Sequence, residues 1–315
     1  MRHVSQPIAL PNIIVFFVIC SVDHPNILTF LGYVVDPEYV TIMLEYADKG
    51  DLFDYSNSTC TAGIDRVRLF HQVYPAVLAA VSYLESLQIA HRDIKPENIL
   101  LKTIPSRKRA NGKIDFHLRP VLCDFGWSCW YFKSGAQQST LCGTPEYVPP
   151  ELLAEEVPGR RRYAAEHVDP WALGVLALEI LNGTTPFGAP TSCPPSDVRR
   201  HIYDNIRNFS GVDRNVCENL DRLATLAAVD SGSVLDPCVL RRDNGESSCL
   251  YVSLVDGFLQ STPSHRSSAT QCLERYAHVL GSGGDVPTPT CPSVKQRRDI
   301  FQNHFSGHSK SIIFS

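Results

Sequence analysis

The chain has little that would tie it to a membrane or to a disulfide-stapled scaffold. No apolar run approaches the roughly 18–20 residues that a membrane span needs. The longest, Ile13 to Cys20, is less than half of that. No two cysteines are spaced C-x-x-C, and no Cys/His cluster has the spacing of a zinc site. The 11 cysteines are odd in number and scattered from Cys20 to Cys291 across 315 residues, which excludes a small disulfide framework and points to a reduced, intracellular protein. Arg2 precedes an apolar stretch, but Pro11 stands just before it and no A-x-A cleavage site follows, so a secretory signal is not expected. There is no large excess of charge either. Lys+Arg total 29 and Asp+Glu 33, a formal net charge of −4, which argues against coating nucleic acid or an anionic membrane; direct contact with neither is expected. Residues 1–48 hold no lysine, Arg2 being their only fixed positive side chain, and residues 1–22 hold no Asp or Glu. Nothing in Ile13 to Cys20 can neutralise phosphate.

What is present is enough for a sizeable core: 35.0 kDa, 43% apolar and 20% charged residues. Residues 27–35 and 39–47 are rich in β-branched and aromatic residues and are separated by Asp36-Pro37-Glu38, the pattern of a β-hairpin. The period then changes. Phe70, Val73, Val77, Val81 and Leu84 predict an amphipathic helix over about 65–88. Trp171 to Leu181 is apolar nearly all round, with Glu179 its only charge and Asn182-Gly183 as a stop, so a buried central helix is expected there. The fold class is α+β, a small β portion followed by a larger helical one. Residues 103–117, polar and basic around Arg107-Lys108-Arg109, and residues 211–248 read as surface loops; 281–315 read as a disordered tail.

The residues that carry chemistry stand at 91–98, His91-Arg92-Asp93-Ile94-Lys95-Pro96-Glu97-Asn98, and at 124–126, Asp124-Phe125-Gly126, after the strand-like Val121-Leu122-Cys123. Together these segments resemble the catalytic and metal-binding loops of the protein kinases. The resemblance implies a kinase-like fold with a truncated β small lobe and a mainly helical large lobe. It also implies transfer of the ATP γ-phosphoryl group to Ser or Thr of protein substrates, with magnesium. On it, Asp93 would orient or accept the substrate hydroxyl proton and Lys95 would set its ammonium against the moving phosphoryl group. Asn98 and Asp124 would be the hard oxygen ligands of Mg2+. The stretch Ser139 to Glu151 resembles an activation segment, with Thr140 at the phosphorylation position and Arg92 as the partner of its phosphate. Thr144 matches the threonine that contacts the catalytic Asp and Lys in serine/threonine kinases. Arg266 matches the arginine that pairs with Glu151, and Asp169 the aspartate that holds the catalytic-loop backbone.

Asp124-Phe125-Gly126-Trp127-Ser128, with His24-Pro25-Asn26, Leu44-Glu45-Tyr46-Ala47 and Thr140 to Pro145, is similar to the Aurora family over about 23–210 and again near 250–279. That resemblance makes Leu44 the gatekeeper, Glu45 and Ala47 the adenine hinge, Asp51 a neighbour of the ribose and Leu100 the adenine floor. Glu97 and the acidic balance point to basic residues before the target hydroxyl. Gln137 and Gln138 stand where Aurora kinases carry arginines, which puts self-phosphorylation at Thr140 in doubt. Implied partners are protein substrates and an activator docking on the small lobe; the implied location is nucleus or cytoplasm, at spindle or chromosomes.

The Gly-rich loop, the strand lysine and the helix glutamate of the family belong before His24, and the 23 residues there supply none of them. The expected division is an atypical segment at 1–22, a small-lobe remnant at 23–47, a large lobe at 48–280 with insertions at about 103–117 and 211–248, and the tail at 281–315. Impaired turnover is expected. A fragment of a working kinase, a shortened pseudokinase acting as a protein-binding scaffold, and a degenerate product all fit the sequence, the first best because both metal ligands and the base are intact.

Overall fold

The computed structural model describes residues 2–7, 17–35, 39–60, 66–108, 114–131, 137–154, 162–209, 239–241 and 247–277. The β-rich opening forms a three-stranded antiparallel sheet from β1 (Arg2–Pro7), β2 (Phe30–Val35) and β3 (Tyr39–Leu44) in the order β1-β3-β2. The hairpin expected over 27–47 is thus present but shorter, and the turn at 36–38 lies outside the described residues. One end is drawn off by another partner, the Leu28 amide donating to the Leu122 carbonyl at 2.9 Å, while the Glu45 amide still bonds the Thr29 carbonyl across the hairpin at 3.0 Å. Strand β1 was not legible in the sequence; it pairs with β3 from Arg2↔Leu44 to Pro7↔Tyr39. A short helix α1 at 17–21 puts Val18 and Ile19 into the main core.

The large portion is helical. Helices α2 (Leu52–Cys60) and α3 (Arg66–Ser86) follow. All five periodic residues of α3 are at most 2% exposed, which is why that spacing marked the helix correctly. β4 (Ile89–Ala90) leads into the loop at 91–98, and β5 (Ile99–Lys108) pairs with β6 (Ile114–Leu122). The expected surface loop at 103–117 is therefore corrected: residues 103–108 and 114–117 extend this antiparallel ribbon. Its polar composition misled because a two-stranded ribbon satisfies its backbone by pairing alone. The register breaks at Pro105/Arg107, where proline has no amide to donate.

β7 (Cys129–Trp130) pairs with β4, and β8 (Gln137–Gln138) with β9 (Tyr163–Ala164). Between the last two lies α4 (Pro150–Leu153). α5 (Val168–Asn182) is the central helix, with every residue through Leu178 buried. It stops at Gly183, whose φ of +85° and 2.7 Å amide bond to the Glu179 carbonyl form a left-handed cap that glycine adopts without Cβ strain. α6 (Val198–Arg207) ties to α4 through Arg199 Nη2, 2.8 Å from the Leu152 carbonyl oxygen. β10 (Val239–Arg241) and β11 (Ser247–Cys249) pair with each other. α7 (Leu250–Phe258) packs on α5, and α8 (Ala269–Ala277) on α3. Apart from β10 and β11, the expected loop at 211–248 lies outside the described residues, as does the expected tail at 281–315.

Candidate active site

The loop at 91–98 is hung from α5 by one buried carboxylate. Asp169 accepts the His91 amide at 2.7 Å on Oδ2 and the Arg92 amide at 2.7 Å on Oδ1. Burial pushes the Asp169 carboxyl up, while the neighbouring His91 and these two amides oppose that push. Arg92 takes φ +67°, a left-handed conformation costly for a non-glycine residue, and the two bonds to Asp169 hold it there. The His91 ring bonds the Cys123 carbonyl at 3.0 Å and meets Phe125 edge-on at 4.9 Å, so the two loops share one anchor.

Asp93 is 6% exposed, and both of its oxygens are engaged. Oδ1 accepts the Thr144 amide and hydroxyl, each at 3.1 Å; Oδ2 accepts Asn98 Nδ2 at 2.8 Å and lies 3.1 Å from Lys95 Nζ. Lys95 Nζ also donates to Thr144 Oγ1 at 2.7 Å. Thr144, 51 residues from Asp93, thereby closes one network with Asp93, Lys95 and Asn98. Asn98 Nδ2 further donates to the Asp93 carbonyl at 2.8 Å, which turns the amide oxygen Oδ1 outward as an acceptor. The Cys123 amide donates to the Asn98 carbonyl at 2.9 Å, bringing the Asp124 loop alongside. Asp124 is exposed at φ +62°, with Oδ1 accepting the Gly126 amide at 3.1 Å. A Cβ on Gly126 would meet that oxygen at 2.9 Å, so glycine keeps the carboxylate's position open. Two hard oxygens, Asn98 Oδ1 and Asp124 Oδ2, are thus free of any described hydrogen bond, the donor set that suits Mg2+.

Beside this network a second, smaller core joins Leu28, Ala47, Leu100, Val121 and Cys123, with Leu44 packed against it. Leu44, Ala47 and Leu100 of the sequence reading meet here. Leu28, Val121 and Cys123 were missed, since nothing but their fold neighbours marks them. Glu45 is fixed beside this core, Oε1 accepting the Thr29 amide at 3.0 Å and Oε2 bonded to Lys102. Although its partial burial raises the Glu45 carboxyl, the bonds from Lys102 and Thr29 prevail and hold it below its ordinary range. Asp51 caps α2, Oδ1 accepting the Asp54 amide at 2.8 Å, and pairs by a β-bridge with Leu100.

Glu97 is exposed on the 3-10 turn Pro96–Asn98. Next to that turn is a cleft lined by Leu52, Phe53, Arg66, Pro96, Glu179 and Ile180. Burial and the charges of Glu97 and Glu146 push the Glu179 carboxyl up to about 7, against the pull of Arg66, and the Tyr147 hydroxyl donates to it. Thr140 is exposed. Arg92 does not reach its side chain: Nε donates to the Trp127 carbonyl at 2.6 Å and Nη1 to the Tyr163 hydroxyl at 2.8 Å. Tyr163 was not singled out in the sequence, where a lone tyrosine before the central helix carries no signal.

The family model described as "Protein kinase domain" matches residues 16–276. The chain is 36% identical over 184 residues to serine/threonine-protein kinase SRK2G of Arabidopsis thaliana, covering 58% of this chain and 45% of that protein. It is 37% identical over 185 residues to serine/threonine-protein kinase SAPK7 of Oryza sativa subsp. japonica, covering 58% and 45%. To serine/threonine-protein kinase SAPK3 of Oryza sativa subsp. indica it is 36% identical over 185 residues, covering 58% and 48%. The chain spans about half the length of these curated relatives. With the family model matched over 16–276, the chain belongs to the protein kinase domain family.

Proposed function

We propose that this chain carries the catalytic machinery of a serine/threonine protein kinase, moving the γ-phosphoryl group of ATP to a hydroxyl of a protein substrate. The observation that supports this most is the closed network of Asp93, Lys95, Asn98 and Thr144. Phosphoryl transfer asks a protein for alignment and charge neutralisation more than for covalent chemistry. Asn98 and Thr144 fix the Asp93 carboxylate, so that it can orient a serine or threonine hydroxyl and take up its proton. Lys95 holds a positive charge beside the same spot, where negative charge gathers on the transferred group. Leu44, Ala47, Leu100 and their neighbours would hold adenine, with Glu45 and Asp51 at the hinge and ribose. Asn98 and Asp124 would hold Mg2+, which when bound neutralises phosphate charge.

Substrate preference follows from the carboxylates. The charges of Glu97 and Glu146 act on Glu179 at the cleft beside the loop at 91–98 and oppose its ionisation. A basic side chain preceding the target Ser or Thr would relieve that repulsion, and its replacement by an uncharged residue should raise KM. The finer expectation of an Aurora-type enzyme, with its mitotic location and small-lobe activator, rests on Trp127 and the motifs around it. SRK2G and SAPK7 lend that expectation no support, so the reading is kept at serine/threonine kinase.

The test is phosphate transfer from radiolabelled ATP to a basic serine peptide, with Asp93→Asn as the comparison. Loss of the base should lower kcat by about 10²–10⁴-fold while the melting temperature holds. Equal transfer by both proteins would refute the reading. Binding of ATP by the unaltered chain without turnover would leave a protein-binding scaffold in its place.

A further inference from the structure

Arg92 and the activation segment are joined by a group that neither loop contains. Tyr163, 4% exposed on β9, accepts a hydrogen bond from Arg92 Nη1 at 2.8 Å. It donates its own proton to the Thr140 carbonyl at 2.7 Å. Cys142 Sγ lies 3.8 Å from the Tyr163 hydroxyl oxygen. A phenol has one proton and two lone pairs, and these three contacts use all of them: one donated to Thr140, one accepted from the guanidinium, one facing the thiol. Burial holds the hydroxyl well above its ordinary range even with Arg92 opposing, so the proton given to Thr140 stays in place at any working pH.

The segment is held at its other end as well. Gly143, at φ +90°, lies so close on the loop that a Cβ would meet the Arg92 carbonyl oxygen at 2.8 Å. The next residue is Thr144, whose amide and hydroxyl bond Asp93. Four residues therefore separate the Tyr163 attachment from the catalytic carboxylate. The side chain of Thr140 itself is exposed and makes no part of this attachment. Arg92, the group expected to receive a phosphate there, is already occupied through Tyr163 and Trp127.

We infer that the Tyr163 hydroxyl is a positioning group for phosphoryl transfer: by linking Arg92 to the Thr140 carbonyl it holds Thr144 against Asp93 while Thr140 carries no phosphate. Phosphate at Thr140 then adds a second attachment for the same stretch; it does not create the first. Tyrosine at 163 makes the segment's order independent of modification, and loss of the hydroxyl makes it dependent.

The test is Tyr163→Phe in the full chain, prepared with and without phosphothreonine at 140. The ring still fills its site, and a melting curve verifies that it does. In the unphosphorylated variant, hydrogen exchange of amides 140–144 should quicken by about tenfold, the scale of one charge-assisted hydrogen bond. kcat should fall by a similar factor with KM for ATP unchanged, and phosphothreonine at 140 should restore both. Unchanged exchange at 140–144 would overturn the proposal. So would a loss of equal size in both phosphorylation states, the mark of a merely structural tyrosine. The kcat arm rests on the phosphotransfer reading; the exchange arm does not, and it decides the matter where turnover is too slow to count.

Discussion

At the scale of single residues, Arg266 carries a buried charge that is fully partnered. The Arg266 side chain is 0% exposed, yet Nη1 and Nη2 reach the two oxygens of Glu151 at 2.6 and 2.7 Å. Nε donates to the Gln260 carbonyl at 2.9 Å and Nη1 also to that of His167 at 2.8 Å, while the guanidinium carbon sits 5.1 Å from the Trp171 ring centre. This planar fork joins the end of the activation segment to the chain before α8, a link that a lysine's compact ammonium cannot reproduce. Glu151→Ala leaves a buried cation without its counter-charge, and the cost should be about 3 kcal/mol, the lower end for a broken buried pair because Glu151 is 23% exposed. Arg266→Lys should recover little of the stability that Arg266→Ala loses. Urea unfolding of the three variants checks both statements; a midpoint for Glu151→Ala within error of the parent would count against them.

At the scale of elements, α5 is the frame on which the site is built. It supplies Asp169 to the catalytic loop, Glu179 to the cleft and a close-packed face to α7. A Cβ at Gly174 would come within 2.7 Å of Leu259 Cδ2, 2.8 Å of its Cγ and 3.0 Å of Phe258 Cβ. Gly174→Ala must therefore displace the Leu259 side chain or part α5 from the end of α7, and overpacking of this kind costs about 1–3 kcal/mol. Differential scanning should show a lowered melting temperature for Gly174→Ala, and a raised one would mean that the helices slide apart freely. The elements also show what could be read beforehand. α3 and α5 were legible because their burial repeats in the sequence, as Phe70 to Leu84 and as an apolar run broken only at Glu179. The network proposed as catalytic was legible because Asp93, Lys95 and Asn98 sit in one uninterrupted stretch. The ribbon of β5 and β6 was not, since its outer residues have pairing partners but no periodic face. β1 was hidden for the same reason, and Tyr163 because its role depends on two partners, Arg92 and Thr140, 71 and 23 residues away.

At the scale of the whole molecule, one carboxylate couples folding to the charge around the cleft beside Pro96. Glu179 titrates at about 7 in the folded chain against 4.5 when free, so between those values the folded state binds the extra proton. Its contribution to stability is present in full below about 4.5 and is lost as pH rises through about 7. Removing the charge should remove the loss. Glu179→Gln should be more stable than the parent above pH 7 by on the order of 2 kcal/mol, held below the full linkage value by the Tyr147 hydroxyl bond and by partial solvent contact. Near pH 4.5 the two proteins should unfold together. A basic substrate residue acts in the opposite sense to burial, favouring the ionised carboxylate, so its binding should release a proton near pH 7. KM for a peptide with arginine before the target serine should therefore rise as pH falls through about 7, while a peptide with norleucine there shows no such rise. Parallel profiles for the two peptides would place the basic side chain away from Glu179. Stability curves of parent and variant that keep a constant gap from pH 5 to 8 would show that this carboxylate does not link the two.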